Sequence, residues 1–234
     1  MKPIIKKSGL SVAGLLVAGG CIAGPAAAAQ AAPAASTPVA SVHADKGGRA
    51  DQADKGGRPD KGGRADKRAE RTVGIEYQAQ PNFYYCGPAA TRIALSAQGK
   101  VLSQDELAKM LGTTEAGTDS ALDTTRVLNE LTGGGYETTE IPDSVAKPEE
   151  IDRLRADVVA ALDEGRPVVA NVKGTAVDTD GHPQSYEGGH YLTLVGYQDG
   201  GDLIRIADPA SPEAEYWMTL EKVANWIAER GYSS

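Results

Sequence analysis

An α+β domain, helical in its first half and built on a mostly antiparallel sheet in its second, is what this sequence predicts, on three observations. Between residues 88 and 164 the apolar residues recur at helical spacing in four separate runs. From residue 167 they change to unbroken or alternating runs rich in Val, Ile, Leu and Tyr, as at 167–172, 190–197 and 203–207, which is strand patterning. The first third of the 234-residue chain carries almost no core material, so one compact domain is expected in the remainder.

The chain divides accordingly into residues 1–32, 33–71 and 72–234. The first segment has Lys2, Lys6 and Lys7, then an apolar run from Leu10 to Ala23, then small residues near 29–32, and reads as a cleaved secretory signal. Its apolar run falls short of the roughly 20 residues of a membrane span, and nothing later in the sequence reads as one, so the mature form is expected to be secreted or wall-associated. Cys21 lies inside this signal. A lipid-attachment role for it is the minor reading, because Ala18-Gly19-Gly20 lacks the branched residue expected three positions ahead. Cys86 is then the single cysteine of the mature chain, which excludes a structural disulfide.

The second segment repeats Asp-Lys-Gly-Gly-Arg at 45–49, 54–58 and 60–64. Paired glycines with almost no apolar side chains cannot repay the entropy of ordering, so a disordered, solvated linker is expected. Residues 44–71 hold nine basic and six acidic side chains, whereas residues 72–234 hold 12 basic and 26 acidic ones. The acidic domain argues against nucleic acid as a partner, since phosphate binding needs clustered Lys and Arg. The basic linker reads first as a plain spacer, with an anionic cell-wall polymer as its candidate partner.

Within the domain, residues 72–78 alternate as a strand. A helix is expected over 88–98, where Ala89, Ala90, Ile93, Ala94 and Ala97 share one face. Ser103 and Glu106 form a capping box ahead of Leu107, Met110 and Leu111. Leu122, Thr125, Leu128 and Leu131 are spaced as the buried stripe of a third helix, and residues 136–141 as a short strand. Pro148, Glu149 and Glu150 suit the first turn of a fourth helix, striped by Ile151, Leu154, Val158, Ala161 and Leu162. The polar, glycine-punctuated stretch 174–188 reads as a mobile loop. Leu220, Val223, Trp226 and Ile227 mark a closing helix.

The chemistry is read from four positions. Cys86 stands immediately before Gly87-Pro88 and a helical run, where unpaired backbone N–H groups and the helix dipole favour a thiolate. His190 opens a strand after two glycines, and Asp208 ends the next one, ahead of a proline. A thiol, an imidazole and an acid in that chain order form a papain-like constellation, in which the acid orients the ring and the ring deprotonates the thiol. Gln80 lies six residues before Cys86.

From about Val73 onward the chain resembles the papain-like peptidases that remove double-glycine leaders from bacteriocins, in a stand-alone secreted branch. The resemblance rests on Gln80 with Cys86-Gly87-Pro88-Ala89, on Gly189-His190-Tyr191, and on Asp208-Pro209. It implies a papain-like fold in which the helical part carries Cys86 and the sheet carries His190 and Asp208. It further implies a Cys86–His190–Asp208 triad, and an oxyanion hole made by Gln80 with the Cys86 N–H. The expected activity is hydrolysis of peptide bonds in a peptide or protein substrate by a monomer. A cell-wall amidase or peptidoglycan endopeptidase is the alternative enzyme, and a non-catalytic peptide-binding surface module the alternative outside enzymes. The pairs Gly47-Gly48, Gly56-Gly57 and Gly62-Gly63 read first as flexibility, and self-trimming after one of them is the sharper reading.

No metal or other cofactor is expected, because scattered histidines offer no ligand spacing. His43 falls in the linker, His182 reads as a solvated loop residue, and Asp178 and Asp180 read as solvated loop acids. Tyr84, Tyr85, Tyr186 and Trp217 are candidates to line a substrate cleft, with core packing as the equal alternative.

Overall fold

The computed structural model describes residues 69–234. The expected signal and all but the last residues of the expected linker, with its glycine pairs, lie outside the described residues. Five helices and seven strands follow in the order β1 (Arg71–Thr72), α1 (Cys86–Ser96), α2 (Gln104–Leu111), α3 (Ala121–Thr132), β2 (Thr138–Ile141), α4 (Pro148–Asp163), β3 (Val168–Val177), β4 (Pro183–Gln198), β5 (Leu203–Ala207), β6 (Glu215–Thr219), α5 (Leu220–Ile227) and β7 (Arg230–Ser233). The sheet runs β2-β7-β3-β4-β5-β6, antiparallel at every pairing, with β1 alongside β4. The mixed helical and antiparallel architecture is the one the sequence predicts.

Strand alternation sends side chains to two cores. Val168, Val172, Leu192 and Leu194 pack with Leu154, Val158 and Leu162 of α4 and Val223, Trp226 and Ile227 of α5. Val169 and Tyr191 point to the opposite face, against Ala90 and Ala94 of α1, Leu107 and Leu111 of α2, and Val127 and Leu128 of α3. Alanines on the sheet-facing side of α1 allow close approach, and Thr193 Oγ1 of β4 donates to the Ala90 carbonyl at 2.9 Å. The helix carrying Cys86 is thereby tied to the strand carrying His190.

The capping box at α2 forms as expected. Ser103 Oγ accepts from the Glu106 N–H, the Glu106 carboxylate accepts from the Ser103 N–H, and left-handed Gly112 ends the helix.

Three expectations are corrected. Of the expected 72–78 strand only Thr72 joins the sheet, together with Arg71 ahead of it. Beyond Val73 side chains take the backbone groups a ladder would use: Glu76 N–H donates to Ser96 Oγ, Arg92 donates to the Glu76 carbonyl, and Gln104 to the Ala79 carbonyl. In α3 the buried residues are Ala121, Thr124, Val127 and Leu128, while Leu122 is 61 % exposed. The stripe turns because Thr124 is a satisfied core residue, its hydroxyl bonded to the Ala121 carbonyl and to Ser233 Oγ. The stretch 174–188 is largely a hairpin, β3 running on to Val177 and β4 starting at Pro183. Its strands escape the sequence pattern because their open face is polar, with a Thr175–Ser185 hydroxyl pair at 2.7 Å.

Candidate active site

Helix α1 begins at Cys86, and Tyr85 ahead of it supplies no side-chain cap. Pro88 has no N–H and the Ala89 N–H goes to the Tyr85 carbonyl at 2.9 Å, which leaves the Gly87 N–H as the helix donor to the thiol. Burial, with 7 % exposure, pushes the Cys86 thiol up; a hydrogen bond to His190, the charge on that ring, and the N–H groups of Tyr191 and Gly87 outweigh it and hold the thiol below its ordinary range. Gly87 is required by a neighbour. A Cβ there would lie 2.2 Å from Thr118 Oγ1, which is itself bonded to Thr113 Oγ1 at 2.8 Å.

His190 lies in β4 opposite Val172 and is buried. Its Nε2 is 2.7 Å from Asp208 Oδ1, which leaves Nδ1 for the thiol. Burial alone would lower the imidazole pKa, but Asp208 and Cys86 raise it to about 9. The imidazolium is the stable form beside a thiolate, and the pair titrates as a unit.

Asp208, directly after β5, is fully buried. Its Oδ1 also accepts from the Ala210 N–H at 2.9 Å, and Oδ2 accepts from the hydroxyls of Tyr186 at 2.9 Å and Tyr216 at 2.8 Å. Burial raises the carboxyl pKa, yet His190 and these donors overcome it and hold the group below its usual value. The Tyr186 ring stacks on His190 with centroids 3.9 Å apart, and Trp226 stacks on Tyr186 at 5.8 Å. Trp226 Nε1 is fixed by the Gly174 carbonyl at 3.0 Å.

His190 is thus hydrogen-bonded to Asp208 and, through its charge, lowers the pKa of the Cys86 thiol. Gln80 enters differently. Its N–H donates to the Pro209 carbonyl at 3.0 Å, linking its loop to the residue after Asp208. Its Nε2 donates to the Asn82 carbonyl at 2.8 Å, and its buried Oε1 has no partner. No hydrogen bond joins Gln80 to Cys86.

A cleft of about 250 Å³ opens beside the thiol, lined by Thr118, Asp119, Asn171, Tyr191 and Arg230 among others. Of the aromatics proposed to line a cleft, Tyr186 instead backs His190. Tyr85 bonds Asp105 at the surface, and the Trp217 carbonyl accepts from the Thr179 N–H. Sequence reasoning missed Tyr216, Asn171 and Arg230. For Tyr216 the signal was present in the alternation of Tyr216 and Met218, which marks β6. Of the loop acids, Asp180 is exposed as expected, whereas Asp178 is buried and lies near His182 and Glu213.

A family model described as Peptidase_C39 like family matches residues 72–234. The chain belongs to that family. It is a cysteine peptidase. Among solved structures it is similar to a C39-like peptidase from Bacillus anthracis, 14 % identical, with a TM-score of 0.50 over 70 % of this chain and 96 % of that one. It is also similar to the peptidase domain of Streptococcus ComA, a bifunctional ABC transporter of a quorum-sensing pathway, at 20 % identity and a TM-score of 0.46, covering 67 % and 96 % of the two chains. A double-glycine-motif protease from an AMS/PCAT transporter, solved with its leader peptide, matches at 14 % identity and a TM-score of 0.44, over 69 % and 91 %. At its identity the first likeness bears on the fold alone. No curated protein matches the chain by sequence. Among the described residues of this peptidase no helix is long and apolar enough to cross a membrane.

Proposed function

We propose that this cysteine peptidase cleaves its substrates with a Cys86–His190–Asp208 triad and acts as an exported monomer on peptides or proteins. The observation that carries the reading is the buried 2.7 Å hydrogen bond between His190 and the four-donor Asp208 carboxylate, beside a thiol that the His190 ring holds below its ordinary range. In the mechanism that follows, the Cys86 thiolate attacks the scissile carbonyl and the His190 imidazolium gives its proton to the leaving amine. Neutral His190 then takes a proton from water, whose attack on the thioester releases the acyl product and restores the thiolate–imidazolium pair. The oxyanion is received by the Cys86 N–H at the helix start and by Gln80, whose amide nitrogen has one hydrogen left after bonding Asn82. Asp208 keeps Nδ1 of the ring turned to the thiol and stabilises the imidazolium.

Export rests on the lysine-flanked apolar run at the amino terminus, and retention at an anionic wall polymer on the basic repeats. Incubation of the purified protein with a diverse peptide library tests the activity. Wild type should cleave, Cys86→Ala should not, and Gln80→Ala should lose about 10²–10³ in turnover, as one oxyanion donor is worth. Equal cleavage by Cys86→Ala and wild type would overturn the assignment, and unchanged turnover in Gln80→Ala would remove Gln80 from the site. Release of stem peptides from purified walls, with no cleavage of the library, would move the substrate to peptidoglycan.

A further inference from the structure

Away from the thiol, the tip of the β3–β4 hairpin meets the loop between β5 and β6, and three metal-ligating side chains converge there. His182 Nδ1 lies 3.2 Å from Glu213 Oε1 and 3.8 Å from Asp178 Oδ2. One donor atom from each residue falls within 4.8 Å of the other two. The side chains of His182 and Glu213 are 59 % and 46 % exposed, so the site opens to solvent.

Asp178 is different, because its side chain is 0 % exposed. Its Oδ1 is well satisfied, accepting from the N–H groups of Asp180 at 2.9 Å and His182 at 2.8 Å. Its Oδ2 has one hydrogen bond, from Gln184 Nε2 at 3.4 Å, longer than the usual range for N–H···O. A buried carboxylate oxygen is thus turned toward His182 and Glu213 without a short partner. Buried charges are paired or coordinate metals.

From this arrangement we infer that Asp178, His182 and Glu213 bind a divalent cation of the zinc class. One imidazole with two carboxylates suits zinc or its first-row neighbours better than calcium or magnesium, which take oxygen ligands. Two ligands on a tetrahedral ion, each about 2.0 Å from it, stand roughly 3.3 Å apart, close to the His182–Glu213 spacing. Asp178 Oδ1 is already fixed by two backbone donors, which orients Oδ2 as a ligand, and the Glu213 N–H is held by Ser211 Oγ at 3.3 Å. Water completes the coordination from the open side.

The ion would join the hairpin to the loop that follows Asp208. The same hairpin carries Tyr186, whose hydroxyl bonds Asp208 and whose ring stacks on His190. Binding is therefore expected to stabilise the fold around that pair without taking part in bond cleavage. The competing account is a protonated His182 bridging two carboxylates.

The test uses the full chain carrying Cys21→Ala and Cys86→Ala, stripped with a chelator and titrated with Co²⁺. The substitutions remove both thiols as competing ligands and make the result independent of the triad assignment. One equivalent should saturate with the visible absorption of low-symmetry cobalt, Zn²⁺ should displace it, and the melting midpoint should rise. His182→Ala and Glu213→Gln change solvent-facing side chains, and each should weaken binding by at least the 10–100-fold typical of losing an outer-sphere partner. Absence of saturable binding, or binding that both variants retain, overturns the inference.

Discussion

On one side of His190 the Asp208 carboxylate accepts four hydrogen bonds, two of them from tyrosines, and an aromatic stack of Tyr186 and Trp226 braces the ring. On the other side Cys86 sits at an uncapped helix start beside an open cleft, held by His190 and two backbone N–H groups. The acid is part of the core and cannot be removed without orphaning its donors. The thiol is a small side chain at a cleft wall. In the proposed triad the nucleophile must become covalently bonded and then free again, so few fixed partners suit it, whereas the orienting acid works by staying where it is. The acid side should therefore be structural as well as functional, and the thiol side functional alone.

Asp208→Asn is expected to break that asymmetry most severely. An amide cannot accept from all four donors, and breaking a buried charge network of this kind typically destabilises by roughly 3–5 kcal/mol, readable by denaturant melts. Because the Asp208 pKa is lowered on folding, its contribution is present above the ordinary carboxylate value of about 3.9 and is lost as pH falls through the folded value. The gap between wild type and Asp208→Asn should thus be widest near neutrality and close in acid. The same variant should move the alkaline limb of the activity profile down from near the His190 value of about 9, because the raising influence of Asp208 is gone. An unmoved limb would show that Asp208 does not orient the ring.

Gly87→Ala tests whether the thiol side holds any packing constraint of its own. The added methyl must displace Thr118, and overpacking of this sort destabilises by about 1–3 kcal/mol. Combining it with Thr118→Gly should restore the melt, and failure to do so would place the strain elsewhere. Tyr216→Phe removes one of two tyrosine donors to Oδ2 and should destabilise by about 1 kcal/mol. Cys86→Ala should change stability least, by under about 1 kcal/mol, while removing all activity. A melt as impaired as that of Asp208→Asn would erase the distinction drawn here.

Much of the site was legible in the sequence because its signals are local. Cys86 ahead of Gly87-Pro88 marks a helix start, and His190 and Asp208 sit at the ends of patterned strands. The capping box at Ser103 and the stripe of α4 held for the same reason. Side chains that complete the site from a distance were not legible. Tyr186 reads equally as a cleft or a core residue, because nothing within the stretch 174–188 says that it folds as a hairpin and carries the ring onto His190.

The amino-acid order determined the class of fold, the number of helices in its first half and which thiol, imidazole and acid are candidates for the triad, since periodicity and turn chemistry act over a few residues. Tertiary structure alone decided that Asp208 would be ionised despite complete burial, because its donors come from β4, β6 and its own loop. It also decided that Thr124 rather than Leu122 faces the core of α3, because Ser233, more than a hundred residues later, supplies the hydroxyl partner. In each case the deciding free energy is the satisfaction of a buried polar group by a residue distant in sequence, which no local pattern encodes.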